Sequence, residues 1–425
     1  MNILIISHSY FPALTPRAIR WSNLHEEFLL QGHNVQVVSS KLGSLQASNN
    51  KDVFYVGSSL RSYFKTDRID THSNTKTKKN FCFKGLFHLK RIISLLSIQI
   101  HSIFLRPFRW PDFAWPFIFF GFVSSRNLLK KKKYDLVITV SHPFSSHLIG
   151  IMIKYLHPQV RWIADNGDPF SFMDKPRVNN FFLYKALNKY VESKVLHLCD
   201  GFAVTTEGTS ELYRTYFHSS SDKIKVIGPL LSKEATIVFN EHSAISKSEG
   251  RVVFNFFGTL YSTIRNPRYL IEVLDLLSFK INEQIEVNFY GEPNDISIQD
   301  IRSQNISINF HGMLSRNDAL NKICTSDILL NIGNSNQYQL PSKLVEYVAS
   351  ANPIINFAPI ANDSSSKFLS NFSNTLTIFQ TKDSIEDNMQ LIYNFLQEMK
   401  GREYLAPRVI DEFSPSCLAT KYLNF

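Results

Sequence analysis

The chain has 425 residues, 44% of them hydrophobic and 19% charged. That composition is globular rather than disordered, and the length exceeds what one ordinary core fills, so two domains are expected. The net charge of +10 is unevenly placed: 16 Lys/Arg against 4 Asp/Glu between residues 60 and 140 give +12 there, leaving 10 − 12 = −2 for the remainder.

In chain order, "NILIIS" (2–7) reads as a buried strand, "HSYFPALTP" as a loop, and 17–31 as a helix with Trp21, Leu24 and Phe28 at helical spacing. Gly32 suits the helix C-terminus, and "HNVQVVSS" returns as a strand, completing a βαβ unit and predicting a parallel sheet. Residues 41–130 do not continue this repeat. Within them, 81–105 mix Lys84, Lys90 and Arg91 with large apolar residues, and "RPFRWPDFAWP" (106–116) interleaves Arg106 and Arg109 with Phe and Trp. This basic aromatic insert, about 60–133, suits either an anionic membrane interface or a buried helix pair with a basic outer face. No nucleic-acid motif accompanies the charge, so no nucleic-acid partner is expected.

The βα alternation resumes with strands at 134–140, 161–167, 201–206 and 224–230 and helices between them, notably 179–198. Residues 231–250 are polar and aperiodic and are expected to be a linker. Strands follow at 252–260, 285–291, 306–314, 327–333, 353–359 and 375–379, with helices at 267–281, 316–325, 341–350 and 384–400. The expected fold is α/β: two Rossmann-like, doubly wound domains, 1–235 and 250–400, facing a cleft, with the tail 401–425 packing back on the first. Ligands belong at the carboxyl ends of the strands.

Cys82, Cys199, Cys324 and Cys417 form no CxxC pair, which argues against a zinc site and fits a reducing compartment. Met1 is followed by a short apolar run with no basic n-region, so a cytoplasmic location is expected. No GxGxxG follows any strand, which argues against a dehydrogenase.

In "QLPSKLVEYVASANPII" (339–355), Ser342, Lys343, Glu346 and Tyr347 share one arc of a helical wheel and Leu344, Val345, Val348 and Ala349 the other. Pro341 suits the first helical position, and a helix N-terminus beside Lys343 suits a phosphate. The competing reading is a surface helix with a Lys343–Glu346 pair. In the first half, His142 and His8 each follow a strand at its carboxyl end, and His147 lies inside a helix and reads as packing. Asp165, Asn166 and Asp168 in "WIADNGDPF" end another strand, either to bind hydroxyls or to shape the turn. Arg17 is a better phosphate candidate than Arg20, being nearer its helix N-terminus.

"QLPSKLVEYVASANPII" resembles the donor-site segment of GT-B glycosyltransferases of the family-4 type. "RAIRWSNLHEEFLLQGHNVQVVSS", "SHPFSSHLIG" (141–150), "WIADNGDPF" (162–170) and "FFGTLYSTIRNPRYLIEVL" (256–274) resemble the same family in the same order. The resemblance implies hexosyl-type transfer from a nucleotide-sugar, with retention, and the basic aromatic insert adds the expectation that the acceptor is a growing, lipid-linked surface glycan. The resemblance also implies no metal and no cofactor beyond the nucleotide-sugar co-substrate, while the insert leads to the expectation of peripheral contact with the inner face of an anionic membrane. The same resemblance assigns Glu346 to the ribose, Lys343 and Arg265 to the diphosphate, and Gly258, Thr259 and Ser342 to the rest of the donor. His142 and Asp168 join Arg265 and Lys343 as catalytic candidates, and Arg17, Asp165, Asn166 and Asp168 face the acceptor. Tyr338 stands where the family often has a glutamate, and Thr259 where it usually has an arginine. The same fold also serves nucleotide-sugar epimerases, and a non-catalytic subunit that binds a glycan or a partner is the remaining alternative.

Overall fold

The computed structural model describes residues 1–41, 50–57, 108–173, 178–218, 221–241, 250–380, 383–400 and 409–425. The insert reading for 81–105, with Lys84, Lys90 and Arg91, lies outside the described residues, as do Arg106 and Cys82. The chain divides into two compact units, Met1–Ala203 and Val204–Phe425.

The first sheet has seven strands: β1 (Asn2–Ser7), β2 (Asn34–Ser40), β3 (Val53–Val56), β4 (Leu136–Ser141), β5 (Arg161–Asn166), β6 (Gly201–Val204) and β7 (Ile224–Val226), in the order β3-β2-β1-β4-β5-β6-β7. Its helices are α1 (Pro16–Leu30), α2 (Trp115–Lys131), α3 (Ser145–Leu156), α4 (Phe181–Leu198) and α5 (Glu207–Tyr216). β4 is buried along its whole length, as a parallel strand covered by helices on both faces must be. The strand order, not the strand direction, reverses between the adjacent strands β1 and β4, which pair in parallel with Ile3 opposite Leu136. Their carboxyl ends therefore bound a switch-point crevice. α1 begins at Pro16, with the Thr15 hydroxyl accepting from Ala18 N at 3.2 Å, and Gly32 after its end takes the left-handed φ of 80°.

In chain order between β7 and the second sheet, α6 (Lys233–Glu241) occupies part of the stretch expected to be a linker. Ala235, Val238 and Phe239 give it an apolar stripe at helical spacing that packs on the second core, which outweighs the polar composition.

The second sheet has six strands: β8 (Arg251–Phe257), β9 (Gln284–Tyr290), β10 (Ser307–Gly312), β11 (Ile328–Ile332), β12 (Ile354–Ala358) and β13 (Thr375–Phe379), in the order β10-β9-β8-β11-β12-β13. All its pairings are parallel. Its helices are α7 (Arg268–Leu277), α8 (Arg316–Cys324), α9 (Lys343–Ala349), α10 (Ser364–Leu369) and α11 (Ile385–Met399). α7 and α11 cover one face with Leu274 and Phe395; α8 and α9 cover the other with Leu320 and Val348. Here the switch point lies between β8 and β11. The tail forms α12 (Val409–Glu412) and α13 (Pro415–Leu423). It lies by β7: Leu231 N donates to Phe413 O at 2.9 Å, and the Lys225 ammonium sits 4.9 Å from the Phe425 ring centroid.

Candidate functional site

The switch point of the second sheet gathers most of the residues assigned to the donor. β8 ends in Phe256 and Phe257 and runs into Gly258, whose φ of 137° turns the chain outward. A Cβ on the neighbouring Gly291 would stand 2.2 Å from the Gly258 carbonyl oxygen, so the chains leaving β8 and β9 approach closely only because residue 291 is glycine. The loop after β8 brings Arg265 back across the crevice, where its Nε donates to Asn334 Oδ1, beyond β11, at 3.1 Å. Burial pushes the Arg265 guanidinium below its ordinary pKa.

Lys343 opens α9. Its Nζ lies 3.8 Å from the Phe256 ring centroid and 5.3 Å from that of Tyr347, and it is buried without a hydrogen-bond partner. It is also 3.8 Å from where a Cβ on Gly258 would be. Burial first, and the Arg265 charge second, push its pKa well below the ordinary lysine value. A cation that faces only aromatic rings and another cation is an unmet demand for an anion.

Glu346, one turn on, is paired with Arg316 of α8, which also donates to Ser232 Oγ at 3.3 Å and reaches Glu234 at 3.7 Å. Burial raises the Glu346 pKa and Arg316 opposes the rise. The surface-helix reading with a Lys343–Glu346 pair is therefore not realised. Nor is the polar arc of the wheel a solvent face: Tyr347 is fully buried and its hydroxyl accepts from Phe257 N at 3.0 Å. Pro341 precedes the helix by two residues instead of opening it, and Leu344 N donates to its carbonyl at 3.1 Å. A helix of seven residues adds little dipole, so anion binding here falls to the two side-chain cations. Ser342 is exposed at the start of α9, Thr259 is half-buried after Gly258, and Tyr338 is buried. The signal that would have revealed Arg316 is a cation at a helix's first position, where the dipole disfavours it. Asn334 had no such signal, since only the loop conformation brings it to Arg265.

The first unit gathers the other group. Asp165 Oδ2 accepts from Arg17 Nη1 and from Trp21 Nε1, both at 2.8 Å. Arg17 and Asp165 are therefore partners of each other. A Cβ on Gly167 would stand 1.6 Å from Arg17 Nη2, so this glycine makes room for the guanidinium. His8, 6% exposed, is held edge-on by the rings of Phe113 and Phe117, with centroids 5.5 Å away in each case. Burial, then the neighbouring His142, lower its pKa to about 4. His142 is half-buried beyond β4, Asn166 is fully buried, and Asp168 is half-buried in the loop after β5. His147 is buried against the Thr139 hydroxyl at 2.7 Å, with its pKa lowered by burial to about 3.

Two carboxylates with no sequence signal shape this region. Asp112, read as part of an interface segment, is buried, and it caps α3 by accepting from Ser145 N at 3.0 Å and Ser145 Oγ at 2.6 Å. Glu192 of α4 is fully buried and accepts from Phe170 N at 2.8 Å and Ser171 N at 2.9 Å. With Phe170 stacked on Phe144 at 3.9 Å, it holds the loop that carries Asp168. Among the described residues, no group of three or more His, Cys, Asp or Glu could hold a metal ion.

No family model and no curated sequence matches the chain. Solved structures do. A glycosyltransferase from Rickettsia africae ESF-5 aligns with 100% of this chain and 97% of its own at 15% identity and a TM-score of 0.55. The lipopolysaccharide outer core galactosyltransferase WaaB aligns with 100% and 98% at 13% identity and a TM-score of 0.57. A UDP-GlcNAc 2-epimerase from Neisseria meningitidis, bound to UDP-GlcNAc, aligns with 100% and 99% at 13% identity and a TM-score of 0.51. At such identities the likeness is one of fold, and the fold of this chain is GT-B.

Proposed function

We propose that the protein transfers a hexosyl-type sugar from a nucleotide-sugar to a growing, lipid-linked cell-surface glycan, with retention and without a metal, as a peripheral protein at the inner face of the cytoplasmic membrane. The observation that carries this reading is the buried Lys343 amine, without a polar partner and beside Arg265 at a switch point. A leaving nucleoside diphosphate gathers negative charge, and two preplaced cations lower the cost of that charge in the transition state. Glu346, held by Arg316, is the acceptor for ribose hydroxyls. The cluster of His142, Asp168, Arg17, Asp165 and Asn166 serves the sugar acceptor, with His142 and Asp168 nearest the reacting hydroxyl. Thermal unfolding against a panel of nucleotides and nucleotide-sugars tests the donor half: UDP or GDP should raise Tm in the wild type and not in Lys343→Ala. Radiolabelled transfer to lipid-linked acceptors tests the whole; folded protein that moves no label from any donor would reject it.

The likeness to a UDP-GlcNAc 2-epimerase supports a second reading, in which the donor alone is the substrate. Turnover of a nucleotide-sugar without any acceptor separates the two. A fold without nucleotide binding would point to a non-catalytic subunit.

A further inference from the structure

α2, α3 and α4 pack side by side on one face of the first sheet, with α2 against β1, β2 and β3 and α3 against β4 and β5. α2 buries Phe117, Gly121 and Ser125 and leaves Trp115, Phe119 and Val123 exposed, one turn apart. α4 buries Val191 and Val195 and exposes Phe182, Leu183 and Tyr190. Phe119 is 67% exposed and Phe182 94%. A single exposed ring is ordinary, but rings along two helices of one layer make a patch that calls for a partner.

The charge on this layer has one sign. α2 and α3 contain no acidic residue, and the only carboxylate of α4, Glu192, is buried and engaged by the loop after β5. Arg126, Lys130, Lys185 and Lys189 are all exposed. A second copy of the chain, docked face to face, would set these cations against themselves. Nucleic acid would satisfy the charge but leave the aliphatic and aromatic surface in water. An anionic bilayer satisfies both, with rings at the headgroup boundary and ammonium and guanidinium groups on lipid phosphates.

We propose that the outer face of the α2–α3–α4 layer is the surface by which this protein docks on an anionic membrane. It gives a location to the membrane contact proposed above and rests on that reading for its purpose, but not for its test. The full chain is sedimented with vesicles of phosphatidylcholine alone, or of phosphatidylcholine and phosphatidylglycerol in equal parts. Protein should pellet with the anionic vesicles only, and less so as salt is raised. Phe119→Ser combined with Phe182→Ser should lower partitioning about tenfold, and Lys130→Glu combined with Lys185→Glu by at least as much. All four positions are exposed, so both variants should keep the wild-type Tm and any stabilisation by UDP or GDP. Wild type that stays in the supernatant, or variants that pellet like wild type, would overturn the proposal. So would a wild-type dimer, seen by light scattering, that the Phe variant dissociates without any vesicle binding. Vesicle binding without a nucleotide shift would strike the sugar-transfer reading alone.

Discussion

Arg316 and Glu346, thirty residues apart in sequence, form an ion pair at the mouth of the switch-point crevice in the second sheet. Their side chains are 25% and 13% exposed, so the pair is largely desolvated and each charge depends on the other. Arg316→Met leaves the carboxylate without its cation. It should cost roughly 2–4 kcal/mol in urea unfolding at neutral pH, most of it recovered by adding Glu346→Gln. Burial already raises the Glu346 pKa, and without Arg316 it rises further. The loss should therefore shrink as pH falls and the carboxyl protonates. Equal losses at mildly acidic and mildly alkaline pH would show that the charge is not the cause.

Lys343 links binding to protons. Its pKa is lowered in the folded protein, so between that lowered value and the ordinary lysine value the unfolded chain holds more protons. Stability from this group therefore rises with pH across that window and is lowest below it. Lys343→Met should raise Tm at neutral pH while abolishing nucleotide stabilisation, and the gain should fade as pH approaches the ordinary lysine pKa. A diphosphate restores the charged form, so binding should take up a proton. Calorimetry in buffers of different ionisation enthalpy reads that uptake directly, and a buffer-independent heat would contradict it.

Gly167 and Arg17 should be coupled. Gly167→Ala drives a methyl into the guanidinium and displaces it from Asp165, at a cost of about 1–2 kcal/mol. In an Arg17→Ala background the obstacle is gone and the same substitution should be nearly neutral. A double-mutant cycle by chemical denaturation gives the coupling, and additive losses would mean that the strain lies elsewhere.

Gly291→Ala meets backbone rather than a movable side chain, since its Cβ would overlap the Gly258 carbonyl, and its φ of 145° already disfavours a side chain. We expect a loss of roughly 3 kcal/mol or more, with the crevice at β8 spread open. Nucleotide stabilisation should fall even where the protein remains folded, and a variant with unchanged nucleotide response would reject that geometry.

Period and punctuation made most of the fold legible. Continuous apolar runs such as those of β1 and β4, separated by helices whose buried residues recur every three or four positions, specify parallel strands covered on both faces. Asp112, Glu192 and Arg316 escaped that reading because their partners lie 33, 22 and 30 residues away. No local pattern encodes a hydrogen bond made at that separation. The stretch 233–241 escaped because Ala235, Val238 and Phe239, set among mostly polar residues, become the stripe of a helix only once a core is present to receive them.

The sequence by itself determined the alternation of strand and helix, the two parallel sheets, and that Lys343, Glu346 and Arg265 stand near strand ends. Local propensity and burial period are properties of short windows, and these features need nothing longer. Tertiary structure alone decided what those side chains meet. It set Lys343 against the Phe256 ring without a counter-ion, gave Glu346 to Arg316, and turned Asp165 into the partner of Arg17. Charge and pKa at such positions depend on desolvation and on neighbours a few ångströms away, and only the packed chain brings those together.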